Sequence, residues 1–337
     1  DADQVVFTSG GTEANNLAVR GMLPSTQRAG ASARLSSPQA PPPSIRIVSS
    51  RLEHPSISAL TDELARAGTR IDHLPVDQNG VLRVDALPST LDADTRLVCV
   101  MLGHNETGVL QPVAEIAAVC AARGIPLHTD AAQVAGKLPV NFRRLGATTM
   151  TVAAHKFHGP LGIGALVVRH GTQLSPQLLG GFQQSGLRPG TESVALAVGM
   201  RTALELWHAD QQARIQRMQE LRDTLEREIL AGWPAAVVIG ASVERLPHTS
   251  NIAFVGLARQ ALFLALAQAG IACSTGSACA SGSSEPSPAH LAMGLPETVF
   301  ASALRFRFGA KTTAAEADDA ARRILKICND LRRQKEG

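Results

Sequence analysis

The first 170 residues repeat one pattern, in which a short run of Val, Ile and Leu is followed by a stretch of helical spacing or turn residues. The apolar runs are Gln4–Thr8, Arg46–Ser49, Arg70–Val76, Arg96–Leu102, Ile125–Thr129, Thr148–Ala153 and Gly164–Arg169. Short strands that alternate with helices are typical of parallel sheets whose faces are covered by helices. The pattern therefore predicts a doubly wound α/β domain.

The pattern changes after Thr191, where longer helical segments begin. Apolar residues follow helical spacing through Gln211–Ala231, after a helix predicted at Val194–His208. Further strands are predicted at Ala236–Ile239, Asn251–Val255 and Leu304–Phe308, and further helices at Arg259–Ala269 and Thr313–Arg333. This order indicates a second, smaller α+β domain, so we assign residues 1–205 to a large domain and residues 206–337 to a small C-terminal one.

Two features lie outside this pattern. Residues 24–44 are rich in Ser, Ala and Gly, contain three consecutive prolines, and have no periodicity, which is typical of a flexible surface insertion. The chain also begins with Asp1 rather than Met, only a few residues before the first predicted strand. That start indicates either a fragment or an N-terminally trimmed product.

Charge and hydropathy favour a cytoplasmic protein. The 32 basic and 29 acidic residues are interspersed, so no strong field for nucleic acid is evident. The sequence has no apolar run long enough for a membrane span and no recognisable signal peptide at its start. Its five cysteines are odd in number and scattered, which fits a reducing compartment better than a disulfide framework.

Lys156 is the first candidate for chemistry. Only five of the 32 basic residues are lysines, and this one follows an apolar strand where a glycine-containing turn begins. A lysine there projects from the carboxyl edge of the sheet, which is the usual ligand crevice of α/β proteins. Considered alone, Lys156 is more simply explained as a solvated loop lysine.

Three further segments make the functional interpretation of Lys156 the better one. Asp130 ends another apolar strand, where its carboxylate can pair with a protonated cofactor nitrogen or cap the next helix. The turn Ser9-Gly10-Gly11-Thr12 separates a strand from a helix and offers free N–H groups to a phosphate. His54 precedes a proline, where it can stack on a flat cofactor or simply form a turn.

Cys279 is the candidate nucleophile. It lies in a run of small polar residues without a core-facing period, which predicts an exposed thiol on a mobile loop. By contrast, Cys99, Cys120 and Cys328 lie in surroundings that suit buried structural cysteines. The spacing from Cys273 to Cys279, with no matching His or Cys pair, does not support a zinc site, and we predict no metal.

These motifs, in this order, resemble those of the cysteine desulfurases, pyridoxal-phosphate (PLP) enzymes of the class V aminotransferase group. The matching segments are residues 9–16, 53–54, 104–108, 128–133, 155–160, 188–192, 276–279 and 304–306, which span nearly the whole chain. The resemblance implies the PLP-dependent transferase fold type I, with a large doubly wound mixed-sheet domain and a smaller α+β domain. The Gly-Ser-Ala-Cys loop resembles that of the iron–sulfur-cluster branch of the family.

The resemblance also implies how a PLP cofactor is held. Lys156 would be the Schiff-base lysine that also moves the substrate proton, and Asp130 would pair with the ring nitrogen. Gln133 would bond the ring oxygen and His54 would stack on the ring. The phosphate would be contacted by Gly11, Thr12 and His155, and by Thr191 from the other subunit of a homodimer.

For the reaction, the family implies L-cysteine as substrate and L-alanine as product. Asn105 and Arg305 would hold the substrate carboxylate, a task that suits a guanidinium. Cys279 would attack the substrate sulfur and carry it as a persulfide to an acceptor protein, for iron–sulfur cluster assembly or tRNA thiolation. No direct contact with nucleic acid or membrane is expected.

The chain departs from the family's usual pattern at several points, and this leaves alternatives open. It lacks the segment with which the family usually begins, Ala153 replaces a frequent serine, and Arg307 and Ala310 alter the motif after Arg305. A selenocysteine lyase is one alternative, since such proteins resemble residues 8–54, insertion included. An inactive PLP-fold scaffold is a second, and a plain aminotransferase that does not use Cys279 is a third.

Overall fold

The computed structural model describes residues 4–24, 45–276 and 287–336. They divide into two units. The large unit comprises the described parts of residues 1–75, 82–102 and 111–209, and the small unit those of 76–81, 103–110 and 210–337. The segments 76–81 and 103–110 thus belong to the small unit, although they lie far from it in sequence.

The large unit contains a seven-stranded sheet. Its strands are β1 Gln4–Thr8, β2 Arg46–Ser50, β3 Arg70–Leu74, β4 Thr95–Cys99, β5 Leu127–Asp130, β6 Thr149–Ala153 and β7 Gly164–Val168, in the order β1-β7-β6-β5-β4-β2-β3. The helices of this unit are α1 Gly11–Met22, α2 Pro55–Arg66, α3 Leu87–Thr90, α4 Val113–Ala121, α5 Phe142–Leu145 and α6 Val194–Ala209. The mixed sheet predicted from the sequence is confirmed.

The strand directions explain why the candidate residues meet at one edge. Strands β2 to β6 pair in parallel wherever they are neighbours, and β7 is antiparallel to both β6 and β1. Since two antiparallel steps restore the direction, β1 runs parallel to β6. The segments that follow β1, β2, β4, β5 and β6 therefore leave the sheet at the same edge. The chain order reverses between β2 and β4, which is where α/β sheets open a ligand crevice.

The sequence predicts these strands well because the central ones are buried on both faces. All residues of β2, β5 and β6 are buried, so each is almost free of the alternation that a half-exposed strand would show. Predicted and observed bounds differ by a few residues, as for β4, which ends at Cys99 rather than at Leu102. The backbone beyond Cys99 still donates to β5, from Val100 N to His128 O at 3.0 Å and from Leu102 N to Asp130 O at 2.9 Å.

The small unit has the predicted α+β order. Its strands β8 Ala236–Val238, β9 Thr249–Phe254 and β10 Ala303–Arg307 form an antiparallel sheet in the order β10-β9-β8. Its helices are α7 Gln211–Gly232, α8 Arg259–Gln268, α9 Pro288–Ala292, α10 Glu297–Phe300 and α11 Ala314–Glu336. One apolar cluster, which includes Ile229, Phe254, Leu304 and Ile324, joins α7 and α11 to the sheet.

The predicted insertion and the predicted lack of a membrane span can be compared with the structure only where it describes the chain. All of the predicted insertion at residues 24–44 except Pro24 lies outside the described residues. Within the residues that are described, no helix combines the length and apolarity needed to cross a membrane.

One buried ion pair stabilises the small unit. Arg245 donates to both carboxylate oxygens of Glu226, at 2.7 and 2.9 Å, and both side chains are almost fully buried. The hydroxyl of Ser250 also donates to Glu226 at 2.7 Å. The pair links α7 to the segment that leads into β9.

Replacing Arg245 with Met leaves the buried Glu226 carboxylate without its cation. We expect the free energy of unfolding to fall by about 3 kcal/mol, the usual cost of breaking one side of a buried pair. Arg227→Met is the matched control, since Arg227 lies on the same helix in an exposed pair with Glu228 and should cost less than about 1 kcal/mol. Urea unfolding followed by circular dichroism measures both variants, and equally small losses would contradict the prediction.

Candidate active site

Asp130 ends β5 at the carboxyl edge of the large sheet, where the sequence predicts a ligand-binding carboxylate. The residue is buried, with 7% of its surface exposed. Its Oδ2 accepts a hydrogen bond from Asn15 Nδ2 at 2.8 Å, and its Oδ1 accepts one from the backbone N–H of Ala132 at 2.9 Å. Two donors on different oxygens fix the plane of this carboxyl group.

Asn15, on α1, connects Asp130 to two other residues of the site. Its Nδ2 donates to Ser56 Oγ at 2.7 Å as well as to Asp130, and its Oδ1 lies 3.0 Å from His128 Nε2. Since Oδ1 can only accept, His128 Nε2 carries a proton and donates it to this bond. All polar atoms of the Asn15 amide group thus have defined roles.

His128 is a neutral residue in this arrangement. Burial lowers the pKa of its imidazole to about 3. With the proton on Nε2, its Nδ1 accepts from the hydroxyl of Thr149 on β6 at 2.9 Å. The chain of hydrogen bonds therefore runs from Thr149 through His128 and Asn15 to Asp130.

His54 caps the N-terminus of α2 and lies next to the same group of residues. Its Nδ1 accepts from the backbone N–H of Ser56 at 3.1 Å and lies 2.9 Å from the Ser56 hydroxyl. Burial lowers the pKa of His54; Asp130 opposes this shift and Lys156 adds to it. The neutral ring consequently carries its proton on Nε2. Asp130 and Lys156 are thus each close enough to His54 to influence it electrostatically.

Lys156 lies in a single 3₁₀ turn, Ala154–Phe157, directly after β6. Its side chain is half-buried, and the preceding His155 is exposed. Gly136 approaches this turn so closely that an added Cβ would lie 2.2 Å from Phe157 Cβ, and its φ of +71° also favours glycine. The position of the lysine therefore depends on a glycine 20 residues earlier in the chain.

The N-terminus of α1 has the features of an anion site. No side chain caps it, so the first-turn N–H groups near Gly11 and the exposed Thr12 are without intrahelical acceptors. An added Cβ on Gly10 would meet no atom within 4 Å, which shows that there is open space beside the turn. A cavity of about 600 Å³ in this unit is lined by Thr8 and Ser9, among other residues, and by Thr191.

The small unit brings together the two predicted substrate-binding residues. Arg305, on β10, is buried and donates from Nη1 to the backbone oxygen of Asn105 at 3.0 Å. Glu106 follows Asn105 and is also buried, and this burial raises the pKa of its carboxyl group. The two residues predicted to hold the substrate carboxylate are thus joined through the Asn105 main chain.

The remaining predicted residues have different outcomes. Gln133 is half-buried, three residues after Asp130. Cys279 lies outside the described residues, so its predicted role is untested. Among the other cysteines, Cys99, Cys120 and Cys328 are buried as predicted. The described ranges contain no group of three or more His, Cys, Asp and Glu residues that could hold a metal ion.

Sequence reasoning missed Glu53, a buried acid beside the site. Its Oε1 accepts from Ser50 Oγ at 2.6 Å and from the backbone N–H of Met101 at 3.0 Å. Loss of water raises the pKa of this carboxyl group to about 8, and repulsion by Asp130 adds to the rise, whereas the two donors oppose it. Glu53 is therefore neutral over most of the physiological pH range.

Asn15, Ser56 and His128 were also missed, although they lie within or beside the motifs that drew attention to their neighbours. Their signal in the sequence is faint. Asn15 is the clearest case, because it lies between Ala14 and Leu17 on the apolar face of α1, where a buried amide needs partners.

Comparison with known proteins shows the family of the chain. The family described as aminotransferase class-V matches residues 1–319. A cysteine desulfurase from a Nostoc strain is 38% identical over 331 residues, which cover 98% of this chain and 78% of that protein. The cysteine desulfurase NifS of Azotobacter vinelandii is 38% identical over 329 residues, with the same coverage.

The fold has a close counterpart among solved structures. A NifS-like protein superposes with a TM-score of 0.85 at 27% identity, covering 97% of this chain and 83% of that one. The sequence match and the fold match therefore extend over nearly the whole chain. The chain belongs to the class-V aminotransferases, within the family of the cysteine desulfurases.

Proposed function

We propose that this chain removes sulfur from L-cysteine, releases L-alanine and carries the sulfur as a persulfide on Cys279. The observation that supports this best is that Asp130, His54 and Lys156 follow strands at one edge of the large sheet, where both Asp130 and Lys156 act electrostatically on His54. A lysine amine that can form a Schiff base and a carboxylate that can pair with the ring nitrogen are the groups that PLP chemistry requires, and the neutral imidazole of His54 lies beside them.

The described residues fit PLP. Asp130 would pair with the ring nitrogen, and Lys156 would attach to the aldehyde carbon. The uncapped N-terminus of α1, with Gly11 and Thr12, would hold the phosphate together with His155. Gln133 would bond the ring oxygen and His54 would stack on the ring. When bound, PLP supplies an electron-poor ring that draws electrons from the substrate α-carbon.

The charge state of the site favours this assignment. Glu53 is neutral, since its pKa is about 8, so Asp130 does not face a second carboxylate charge below that pH. Asn15 and the backbone N–H of Ala132 both donate to Asp130. A carboxylate oriented in this way can accept a hydrogen bond from a protonated ring nitrogen.

The neutral ring of His54 fixes the direction of proton transfer. Because Nδ1 accepts from Ser56, the proton of His54 lies on Nε2 and can be donated there. Lys156 would take the proton from the substrate α-carbon. The site would thus use one proton donor that follows β2 and one proton acceptor that follows β6, both at the same edge of the sheet.

Cys279 would be the nucleophile. Its thiolate would attack the substrate sulfur, forming an S–S bond, while the C–S bond breaks and its electron pair stays on the β-carbon, which takes a proton to become the methyl group of alanine. The described residues before Cys279 lead toward the proposed carboxylate site. Ser274 pairs with Arg305 through two backbone hydrogen bonds, of 3.0 and 2.8 Å. Arg305 and Asn105 would hold the substrate carboxylate.

We also propose that the chain acts as a homodimer in the cytoplasm and passes its sulfur to an acceptor protein, for cluster assembly or tRNA thiolation. Several large apolar side chains of the large unit are exposed in the single chain, among them Leu161, Leu179, Phe182 and Val194. Leu179 and Phe182 are 90% and 85% exposed. Several large apolar side chains exposed in one stretch of chain are typical of a protein–protein interface. Thr191 is exposed in the same stretch of chain, as a residue that serves the partner's phosphate would be.

Replacing Cys279 with Ser tests the proposed function directly. In the presence of excess dithiothreitol, which reduces the persulfide to thiol and sulfide, we expect sulfide release from L-cysteine to fall by more than about 1000-fold, as after loss of other enzymatic nucleophiles, while the absorbance of bound PLP is unchanged. Cys273→Ser is the matched control. Burial raises the pKa of the Cys273 thiol to about 11, so it is a poor thiolate and its loss should leave sulfide release within about 3-fold of the parent chain.

Unchanged sulfide release by the Cys279→Ser variant would contradict the proposal. Conversion of cysteine by transamination, with turnover preserved in that variant, would instead point to a plain aminotransferase. Turnover of selenocysteine in place of cysteine would point to a selenocysteine lyase. A folded chain that binds no PLP would point to a scaffold.

Glu53→Gln tests the neutral state of the buried acid. In the unfolded chain the pKa of Glu53 returns to about 4.5, whereas in the folded chain it is about 8. The folded protein therefore binds an extra proton between these values, and its free energy of unfolding falls as the pH rises through them, by an amount on the order of 4 kcal/mol. The glutamine variant lacks this part of the pH dependence. Urea unfolding at about pH 5 and pH 8 measures the difference, and identical pH slopes for the two proteins would contradict the prediction.

A further inference from the structure

The small unit places two guanidinium groups on one acceptor. Arg305 and Arg307 are two residues apart on β10, so their side chains leave the same face of the strand. Nη1 of Arg305 donates to the backbone oxygen of Asn105 at 3.0 Å, and Nη2 of Arg307 donates to the same oxygen. Two positive charges thus meet at a neutral carbonyl group.

No direct ion pair neutralises these charges within the described part of the small unit. The carboxylate that acts on both guanidiniums is Glu106, and it does so without a salt bridge to either. Burial raises the pKa of Glu106, and the nearby arginines oppose this rise. Arg259 also acts on Glu106, so three guanidiniums influence this one carboxyl group.

Burial is the main cause that lowers the pKa values of the neighbouring groups, and the nearby positive charges add to it. Partial loss of water, followed by repulsion from Arg305, lowers the pKa of Arg307 to about 10. Burial, followed by repulsion from His290, Arg305 and Arg307, lowers the pKa of His104 to about 3. His104 is therefore neutral, and the two arginines remain as a pair of fixed charges.

We propose that Arg305 and Arg307 form one binding site for small dianions of the sulfate and phosphate class. A ligand with one carboxylate supplies a single negative charge for the two guanidiniums. A dianion supplies two negative charges and neutralises both. The planar fork of each guanidinium matches the oxygen atoms of sulfate and phosphate. Arg305 is buried and Arg307 is exposed, so the pair is accessible from solvent at one end.

The second charge is a feature of this chain, since Arg307 is one of the positions at which it departs from the usual family motif. The inference rests on the proposed function in one respect only. If Arg305 holds the substrate carboxylate, a dianion at the pair competes with L-cysteine, and anion levels then regulate turnover.

The direct test is calorimetric titration of the full, PLP-loaded chain with sodium sulfate, with ionic strength held constant by sodium chloride. We expect saturable sulfate binding that weakens at least about 10-fold in Arg307→Gln, which loses one charge. Arg307→Lys keeps the charge without the fork and should weaken binding less. Arg201→Gln is the matched control, because Arg201 is an exposed arginine of the large unit that pairs with Glu205, and its affinity for sulfate should equal that of the parent chain.

Absence of saturable sulfate binding by the parent chain would overturn the inference, as would equal affinity in Arg307→Gln. Circular dichroism confirms that each variant is folded, and the lysine variant serves if the glutamine variant is not. A separate assay of sulfide release distinguishes this inference from the proposed function. Sulfate binding that depends on Arg307 in a chain without turnover would contradict the function alone, and turnover without sulfate binding would contradict this inference alone.

Discussion

The hydrogen bond from Asn15 to Asp130 is the interaction on which the candidate site depends. It ties the first helix to the end of β5, and the same amide also bonds Ser56 and His128. Because all of these groups are buried, each would be costly to leave without a partner. Asn15 therefore fixes at once the orientation of the proposed ring-nitrogen partner and of the Ser56 hydroxyl that contacts His54.

This arrangement also concentrates charge where it is useful. His54, His128 and Glu53 are all neutral near pH 7, since burial shifts their pKa values away from the charged form. The site edge thus depends on the opposite charges of Asp130 and Lys156. In the small unit the charges are not matched in this way. Arg305 and Arg307 are both positive, and the described carboxylates form no direct ion pair with either of them.

The strands and several site residues could be predicted from the sequence, because buried strands have a recognisable apolar pattern. The parallel strands appear as unbroken apolar runs, and polar residues at their ends stand out, as Asp130 and Lys156 did. Asn15 could not be assigned in advance, since its role depends on Ser56, His128 and Asp130, which lie 41 to 115 residues away. The shared acceptor of Arg305 and Arg307 was likewise hidden, because it is the backbone oxygen of Asn105, about 200 residues earlier.

Two further aspects depend on three-dimensional packing rather than on sequence pattern. Glu53 is unremarkable as a residue between Leu52 and His54, and only its complete burial makes it a neutral acid. The division of the chain assigns residues 103–110 to the small unit, so that Asn105 lies with Arg305, 200 residues later. Contacts over such separations leave no local signal in a single sequence.

The most direct test of the central claim is to reduce the PLP-loaded chain with borohydride, which makes the cofactor's attachment permanent, and to locate the label by peptide mass mapping. The account predicts a single pyridoxyl label on Lys156, absent in Lys156→Ala and retained in Lys326→Ala, where an exposed lysine of α11 is removed. A label on any other lysine, or a label that survives the loss of Lys156, would contradict it.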